Sequence, residues 1–207
     1  MDCLQIIDLI KNIILTIVAL ITGYVAIQGL NAWKIKLKGQ SDYDLSRRLL
    51  ITLFKYRDAI HGVRSPAIWN YEMPNPPVDE VRNMSDSQIS YYQTSRVYKT
   101  RWEKVQNERI NLYPDLLESE AVWGIELKSY FIELFKLENE LLTNLQTFLE
   151  LKNPDRPHDK DTFLYHMKGI GPIIHDSLND DDNFNKNLKA EIEKVENFLK
   201  PKLLHVK

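Results

Sequence analysis

From Asn12 to Trp33 the chain carries no charged side chain. The middle of the run reads Ile13-Ile14-Leu15-Thr16-Ile17-Val18-Ala19-Leu20-Ile21-Thr22-Gly23-Tyr24-Val25-Ala26-Ile27. Coiled as a helix at about 1.5 Å per residue, such a run spans roughly 33 Å, close to the ~30 Å hydrocarbon layer of a bilayer. Apolar residues cover every face of it, where a soluble amphipathic helix would keep a polar stripe. Trp33 stands where an interfacial aromatic belongs. A cleaved signal peptide would start basic and end in small residues. This chain starts with Asp2 and Asp8 and shows no small-x-small site, so residues 12–33 are expected to be an uncleaved transmembrane helix.

The charge behind this run sets an orientation. Residues 34–71 hold eight basic side chains against three acidic, whereas Lys11 is the one base before the run. Basic flanks stay on the cytoplasmic side. Residues 1–11 are therefore expected outside, 34–41 as a basic juxtamembrane segment, and 42–207 as a cytoplasmic domain. Lys34, Lys36 and Lys38 can lie on anionic lipid headgroups, each worth ~1 kcal/mol, which makes membrane lipid the first expected partner. The overall charge of −2 gives no general reason to expect nucleic acid. Cys3 is the single cysteine, so no internal disulfide staples the fold. It reads as a plain small residue beside the membrane, with lipidation or an interchain link as alternatives.

The remainder reads as all-α. A helix is expected from Asp42 to Arg64, capped by Ser41 or Asp42, with Leu45, Leu49, Leu53, Tyr56, Ile60 and Val63 on one face. Arg47, Arg48, Lys55, Arg57 and Arg64 fall mostly off that stripe and read as a solvated basic face. Pro66, Pro74, Pro76 and Pro77 make 65–79 a connector, with Ser65 to Trp69 packed on the bundle or the membrane surface. A capping box, Ser85 with Gln88, opens a helix expected from Asp86 to Leu112. Tyr91, Ser95, Tyr98, Trp102, Val105 and Leu112 line it, Arg96, Lys99, Arg101, Lys104 and Arg109 lie on its charged back, and Pro114 breaks it. A short helix follows from Asp115 to Trp123. The next, Ile125 to Lys152, has the strongest pattern: Leu127, Phe131, Leu134, Leu141, Leu145 and Phe148 at spacings close to a coiled-coil heptad. Glu138 sits in that seam, and an arginine partner is expected because an unpaired buried charge is costly. Shorter helices are expected from Asp159 to Met167 and from Asn183 to Leu199. No stretch alternates with period two. The fold class is an N-terminal transmembrane helix followed by an antiparallel bundle of four to five helices.

Motifs carrying chemistry are sparse. Leu164-x-x-Met167-Lys168-Gly169-Ile170-Gly171-Pro172 resembles the hairpin of helix-hairpin-helix DNA-binding modules, where backbone amides at the two glycines hold a phosphate. His175 stands where that pattern wants a small residue, and Asp176, Asp180, Asp181 and Asp182 would repel DNA. The segment reads as a plain turn between helices. Histidines 158, 166 and 175 lie near acidic residues but lack the Glu-x-x-His pair of helical metal sites. The run Asp180-Asp181-Asp182-Asn183 fails the EF-hand pattern in both registers and reads as an acidic N-cap. There is no P-loop, nucleophile elbow, dinucleotide fingerprint or His-Glu-x-x-His. No catalytic, metal or cofactor residue is assigned. The residues kept as possible nucleic-acid or ligand contacts are Arg96, Lys99, Gly169 and Gly171.

Several segments recur in one known grouping. They are Gly29-Leu30-Asn31-Ala32-Trp33-Lys34, Leu37-Lys38-Gly39, Arg47-Arg48-Leu49-Leu50 and Tyr56-Arg57-Asp58-Ala59-Ile60. Glu120-Ala121-Val122-Trp123-Gly124 and Val195-Glu196-Asn197-Phe198-Leu199-Lys200-Pro201 complete them. In these the chain resembles an uncharacterised group of bacterial single-pass inner-membrane proteins with a cytoplasmic helical domain. The resemblance implies an inner-membrane location and no activity. Two functions are then in view. One is a membrane-anchored interaction or scaffold protein that packs against itself or a cytoplasmic partner. The other is a membrane-recruited sensor or effector using basic helix faces, with nucleic acid the less favoured ligand.

Overall fold

The computed structural model describes residues 3–156, 159–177 and 181–204, with the backbone alone for 3–6 and 8–10. His158 and Asp180, named above in the metal and calcium readings, lie outside the described residues. Those residues form six helices and no strand: α1 (Cys3–Arg64), α2 (Val78–Val81), α3 (Asp86–Trp123), α4 (Glu126–Lys152), α5 (Lys160–Ile174) and α6 (Asn183–Leu199). Two 3-10 turns, Asn70–Glu72 and Lys200–Leu203, complete the order.

The first departure from expectation is the length of α1. It runs 62 residues without a break, roughly 93 Å, straight through the basic segment 34–41. Ser41 and Asp42 do not cap a new helix. Nothing between Trp33 and Asp42 breaks a helix, and Asp42 instead accepts a 2.8 Å hydrogen bond from the Trp123 indole. From Lys11 to Lys38 every side chain is exposed. From Leu45 onward the apolar stripe foreseen in the sequence is buried: Leu45, Leu49, Leu53, Tyr56, Ile60 and Val63. One helix thus has a lipid-like composition in its first half and a core-forming face in its second. It is the one described helix long and apolar enough to cross a membrane.

α3 packs along the second half of α1. Cross-contacts fall in opposite order along the two helices: Asp42 with Trp123, Arg48 with Asp115 and Glu118, and Arg101 with the Ser65 carbonyl. The Ser85–Gln88 capping box forms as expected. Pro114 does not end the helix. It is exposed, so the carbonyl it leaves unpaired can face water, while Leu112 and Leu116 on either side are held in the core. α4 buries its whole heptad-like row, Leu127, Phe131, Leu134, Glu138, Leu141, Leu145 and Phe148, inside the domain. α5 likewise passes the expected stop at Met167 and continues to Ile174. Ile170 and Ile174, one turn apart, are both buried, and that burial outweighs the ~1 kcal/mol that each interior glycine costs a helix. α6 begins at Asn183 behind the Asp182 side chain, which accepts from the Asn185 amide.

Ser65 to Trp69 lies at the end of α1 remote from the apolar half and packs on the helical domain, where Arg101 bonds the Ser65 and Ala67 carbonyls. Ile68 rests on the core and Trp69 is exposed.

Candidate functional site

Four charged side chains, Glu138, Arg64, Asp182 and Arg101, are buried in three clusters, and each is bonded by other groups of the chain. Glu138 on α4 takes a 2.7 Å hydrogen bond from the Tyr56 hydroxyl and a 3.0 Å ion pair from Arg109. The expected arginine partner is therefore present. Burial, then the Glu138 charge, push the Tyr56 phenol well above its ordinary pKa. Arg109 also lies 4.3 Å over the Phe135 ring.

Arg64, at the end of α1, is fully buried, which corrects its place on a solvated basic face. Its guanidinium donates to the carbonyls of Ile173 (2.7 Å), Pro172 (3.0 Å) and His175 (3.2 Å) and grips both oxygens of Asp182. It thereby terminates α5, whose last carbonyls have no intrahelical donors, and anchors the cap of α6. Burial works to raise the Asp182 carboxyl, but the Asn185 amide, Arg64 and the Ser177 amide outweigh it and hold it below the usual range. Arg101 is likewise buried, again against the expectation of a charged back. It donates to the carbonyls of Ser65 (2.8 Å) and Ala67 (2.6 Å) and to both oxygens of Glu72, whose pKa it lowers. A guanidinium with five donors can satisfy a helix end or a loop in this way, whereas a lysine cannot. One donor is left over: Arg64 Nη1 makes no hydrogen bond and has the Asp176 carboxylate 3.7 Å away.

The residues kept from the sequence as possible contacts divide sharply. Gly169 and Gly171 lie inside α5, so the hairpin and its phosphate-holding amides are absent. A Cβ at Gly169 would meet nothing within 4 Å, and one at Gly171 only the tip of Met167, so neither position demands glycine. Gly124, between α3 and α4, does: its φ of 82° belongs to glycine alone in practice. Arg96 and Lys99 are exposed on α3, and they share no described groove with Gly169 or Gly171.

Arg96 and Lys99 instead open a row not noticed in the sequence. Arg96, Lys99, Glu103, Gln106, Ile110, Tyr113 and Leu117 recur at alternating steps of three and four, and all are exposed. The lower half is apolar, with Ile110 at 67%, Tyr113 at 62% and Leu117 at 49% exposure. Large apolar side chains left outside at heptad spacing form the kind of face that a second helix covers. The row was hidden in the sequence by the stronger core stripe of the same helix, which runs at the same period on the opposite side.

Two open grooves adjoin α3. One of about 580 Å³ lies between α1 and α3, lined by Lys55, Asp58, Gly62 and Lys104 beneath the exposed rings of Trp69 and Tyr71. The other, about 570 Å³, brings Ser87, Ser90 and Thr94 to His175, whose pKa is lowered by burial and by the nearby Arg64 and Lys152. Both are mixed in charge, and no described hydrogen bond joins a hydroxyl of the second groove to the His175 ring. Among the described residues no group of three His, Cys, Asp or Glu is placed to hold a metal.

In the apolar half of α1, Thr16 donates to the Asn12 carbonyl and Thr22 to the Val18 carbonyl, both at 2.8 Å. Gln28 donates to the Tyr24 hydroxyl. These threonine, tyrosine and glutamine side chains thus have partners within the helix. Lys34, Lys36 and Lys38 follow, all exposed. No protein-family model matches the chain, and no curated protein or solved structure matches it, so its function is read from this geometry.

Proposed function

We propose that the chain is a single-pass protein of the bacterial inner membrane, N-terminus outside, whose cytoplasmic domain is an antiparallel helical bundle that docks a partner protein. The observation that carries the reading is the unbroken α1, apolar and exposed before residue 39 and buried in the domain core after residue 44. An uncovered apolar helix of that length is not stable in water, whereas a bilayer solvates it. Lys34, Lys36 and Lys38 then lie at the headgroups and keep the domain on the cytoplasmic side.

The docking face is the exposed row of α3. Its partner is a helix of another protein, apolar opposite Ile110, Tyr113 and Leu117 and acidic opposite Arg96 and Lys99. A second copy fits less well. Two chains anchored in one membrane stand at one height, which sets Arg96 and Lys99 against their own like charges. The heptad-like row of α4 is unavailable for pairing because it lies in the core.

Photo-crosslinking from Leu117 in intact membranes tests this, with exposed Asn107 on another face as control. The expected result is one discrete product from Leu117, lost with Ile110→Asp and weakened by Arg96→Glu with Lys99→Glu. A product of twice the chain mass would replace the partner by a second copy. No product, or full-length chain in the aqueous fraction, would sink the proposal.

The alternative, a sensor of a small ligand or nucleic acid, draws on Arg96, Lys99 and the groove beneath Trp69 and Tyr71. The helical path through Gly169 and Gly171 takes the phosphate nest away from it. A salt-sensitive mobility shift with oligonucleotides, abolished by Arg96→Ala with Lys99→Ala, would favour it.

A further inference from the structure

The end of the domain nearest the apolar half of α1 has an unusual surface. Connections between helices are ordinarily polar. Here the last turn of α3 exposes Val122 (46%), the α3–α4 connection exposes Ile125 (69%), and Leu204, directly after the last 3-10 turn, is 77% exposed. Contacts place the two segments at one end. The Trp123 indole bonds Asp42, the Phe198 ring lies 6.0 Å from Trp123, and the Lys202 ammonium sits over both rings at 4.6–4.7 Å. Residues 34–41, 121–125 and 197–204 together contain five lysines and no carboxylate. The carboxylates flanking them already have donors: Trp123 for Asp42, Lys128 for Glu120, Tyr130 for Glu126 and Lys200 for Glu196.

Height along α1 decides what this end faces. Gly39, six residues or roughly 9 Å beyond Trp33, is the first α1 residue after the apolar half that is not exposed, and Asp42, roughly 13 Å beyond Trp33, is the first with a described bond to the rest of the domain. Headgroups extend about 5–8 Å beyond the hydrocarbon on each side. With Trp33 at the hydrocarbon edge, the end of the domain stands within a few ångströms of the headgroup layer, and α1 has no joint that could lift it away.

We infer that this end is a second membrane contact: Val122, Ile125 and Leu204 enter the headgroup layer of an anionic bilayer while Lys202, and the donors that Lys200 has left over from its pair with Glu196, meet lipid phosphates. The inference rests on the membrane-spanning reading of α1 and adds to it a fixed resting face for the domain. Apolar side chains with adjacent lysines are the chemistry of an interfacial surface. Each lysine multiplies the contact equilibrium by about fivefold, the equivalent of ~1 kcal/mol beside anionic lipid.

The test uses the full chain with Cys3→Ser, reconstituted in vesicles of phosphatidylcholine and phosphatidylglycerol. Single cysteines at Leu20, Asn107, Ile125 and Leu204 carry an environment-sensitive fluorophore, and quenchers are placed on the lipid or in the water. Leu20→Cys should be quenched from the lipid and Asn107→Cys from the water. The inference expects Ile125→Cys and Leu204→Cys to respond to a shallow lipid quencher. That response should fall in pure phosphatidylcholine and in Lys200→Glu with Lys202→Glu. If Leu20→Cys is quenched from the lipid while Ile125→Cys and Leu204→Cys respond only to the aqueous quencher, the inference falls and the anchor stands. If Leu20→Cys also responds only from the water, both fall.

Discussion

Removing one oxygen atom tests the interior of the domain. Tyr56→Phe keeps the ring, its edge-on contact with Phe135 at 6.3 Å and its full burial, and deletes only the hydroxyl that donates to Glu138 at 2.7 Å. Hydrogen bonds to charged groups contribute about 1.5–3 kcal/mol, and a donor this short in a site this dry belongs in the middle of that range. Glu138 keeps Arg109, so the variant does not strand a naked charge. A loss of about 2 kcal/mol lowers the thermal midpoint of a domain this size by roughly 4–8 °C. The assay is urea and thermal unfolding of the full chain in detergent micelles, followed by circular dichroism. A second signature separates the hydroxyl from mere packing. The folded pKa of Tyr56 is raised, so its stabilisation is complete below the ordinary phenol value near pH 10 and declines as pH rises above it. The gap between wild type and Tyr56→Phe should therefore be constant from about pH 7 to 9 and shrink above about pH 10. A variant as stable as wild type, or a gap that widens in alkali, would refute the reasoning.

Four further perturbations follow the same logic. Arg64→Met removes the cation from the Asp182 carboxylate, which keeps only the Ser177 and Asn185 amides, and the donor from the end of α5, and should cost about 3–5 kcal/mol in urea unfolding, with Arg64→Lys recovering little. The depressed pKa of Asp182 gives stability present above about pH 4 and lost as acid protonates it, so the difference between wild type and Asp182→Asn should contract below that pH. Gly124→Ala places a side chain at a φ of 82° and should destabilise by about 1–3 kcal/mol although nothing crowds the Cβ. Pro114→Ala restores an amide in the middle of α3 and should raise the thermal midpoint, since proline costs a helix interior up to about 3 kcal/mol relative to alanine.

Most helices were legible because their signals are local. The Ser85–Gln88 box and the acidic cap before Asn183 start helices where expected, and the core stripes of α1 and α4 are buried as their spacing implied. The misplaced boundaries lie where a local signal suggests a break that the fold does not make. The basic segment 34–41, Pro114 and the Gly169–Gly171 pair each suggest one, but charge does not interrupt a helix. An exposed proline or an interior glycine is overruled when buried neighbours hold both sides. The fates of Arg64 and Arg101 were illegible for another reason. Composition marks an arginine as solvated, and only the chain's return path shows that helix ends and a loop bring their carbonyls to it. The exposed row on α3 was legible in principle, as a second set of heptad steps running through Ile110, Tyr113 and Leu117.

A helix without a hinge also acts as a lever. Arg64 lies 31 residues beyond Trp33, roughly 46 Å along the axis. Transmembrane helices lean by about 20° on average, and the angle follows bilayer thickness. Swinging a rigid rod of that length through such an angle carries its far tip sideways by roughly 16 Å. In the proposed membrane-spanning arrangement, thinning or stretching of the lipid would thereby be converted into a displacement of the Arg64 end large enough to meet or miss a neighbour.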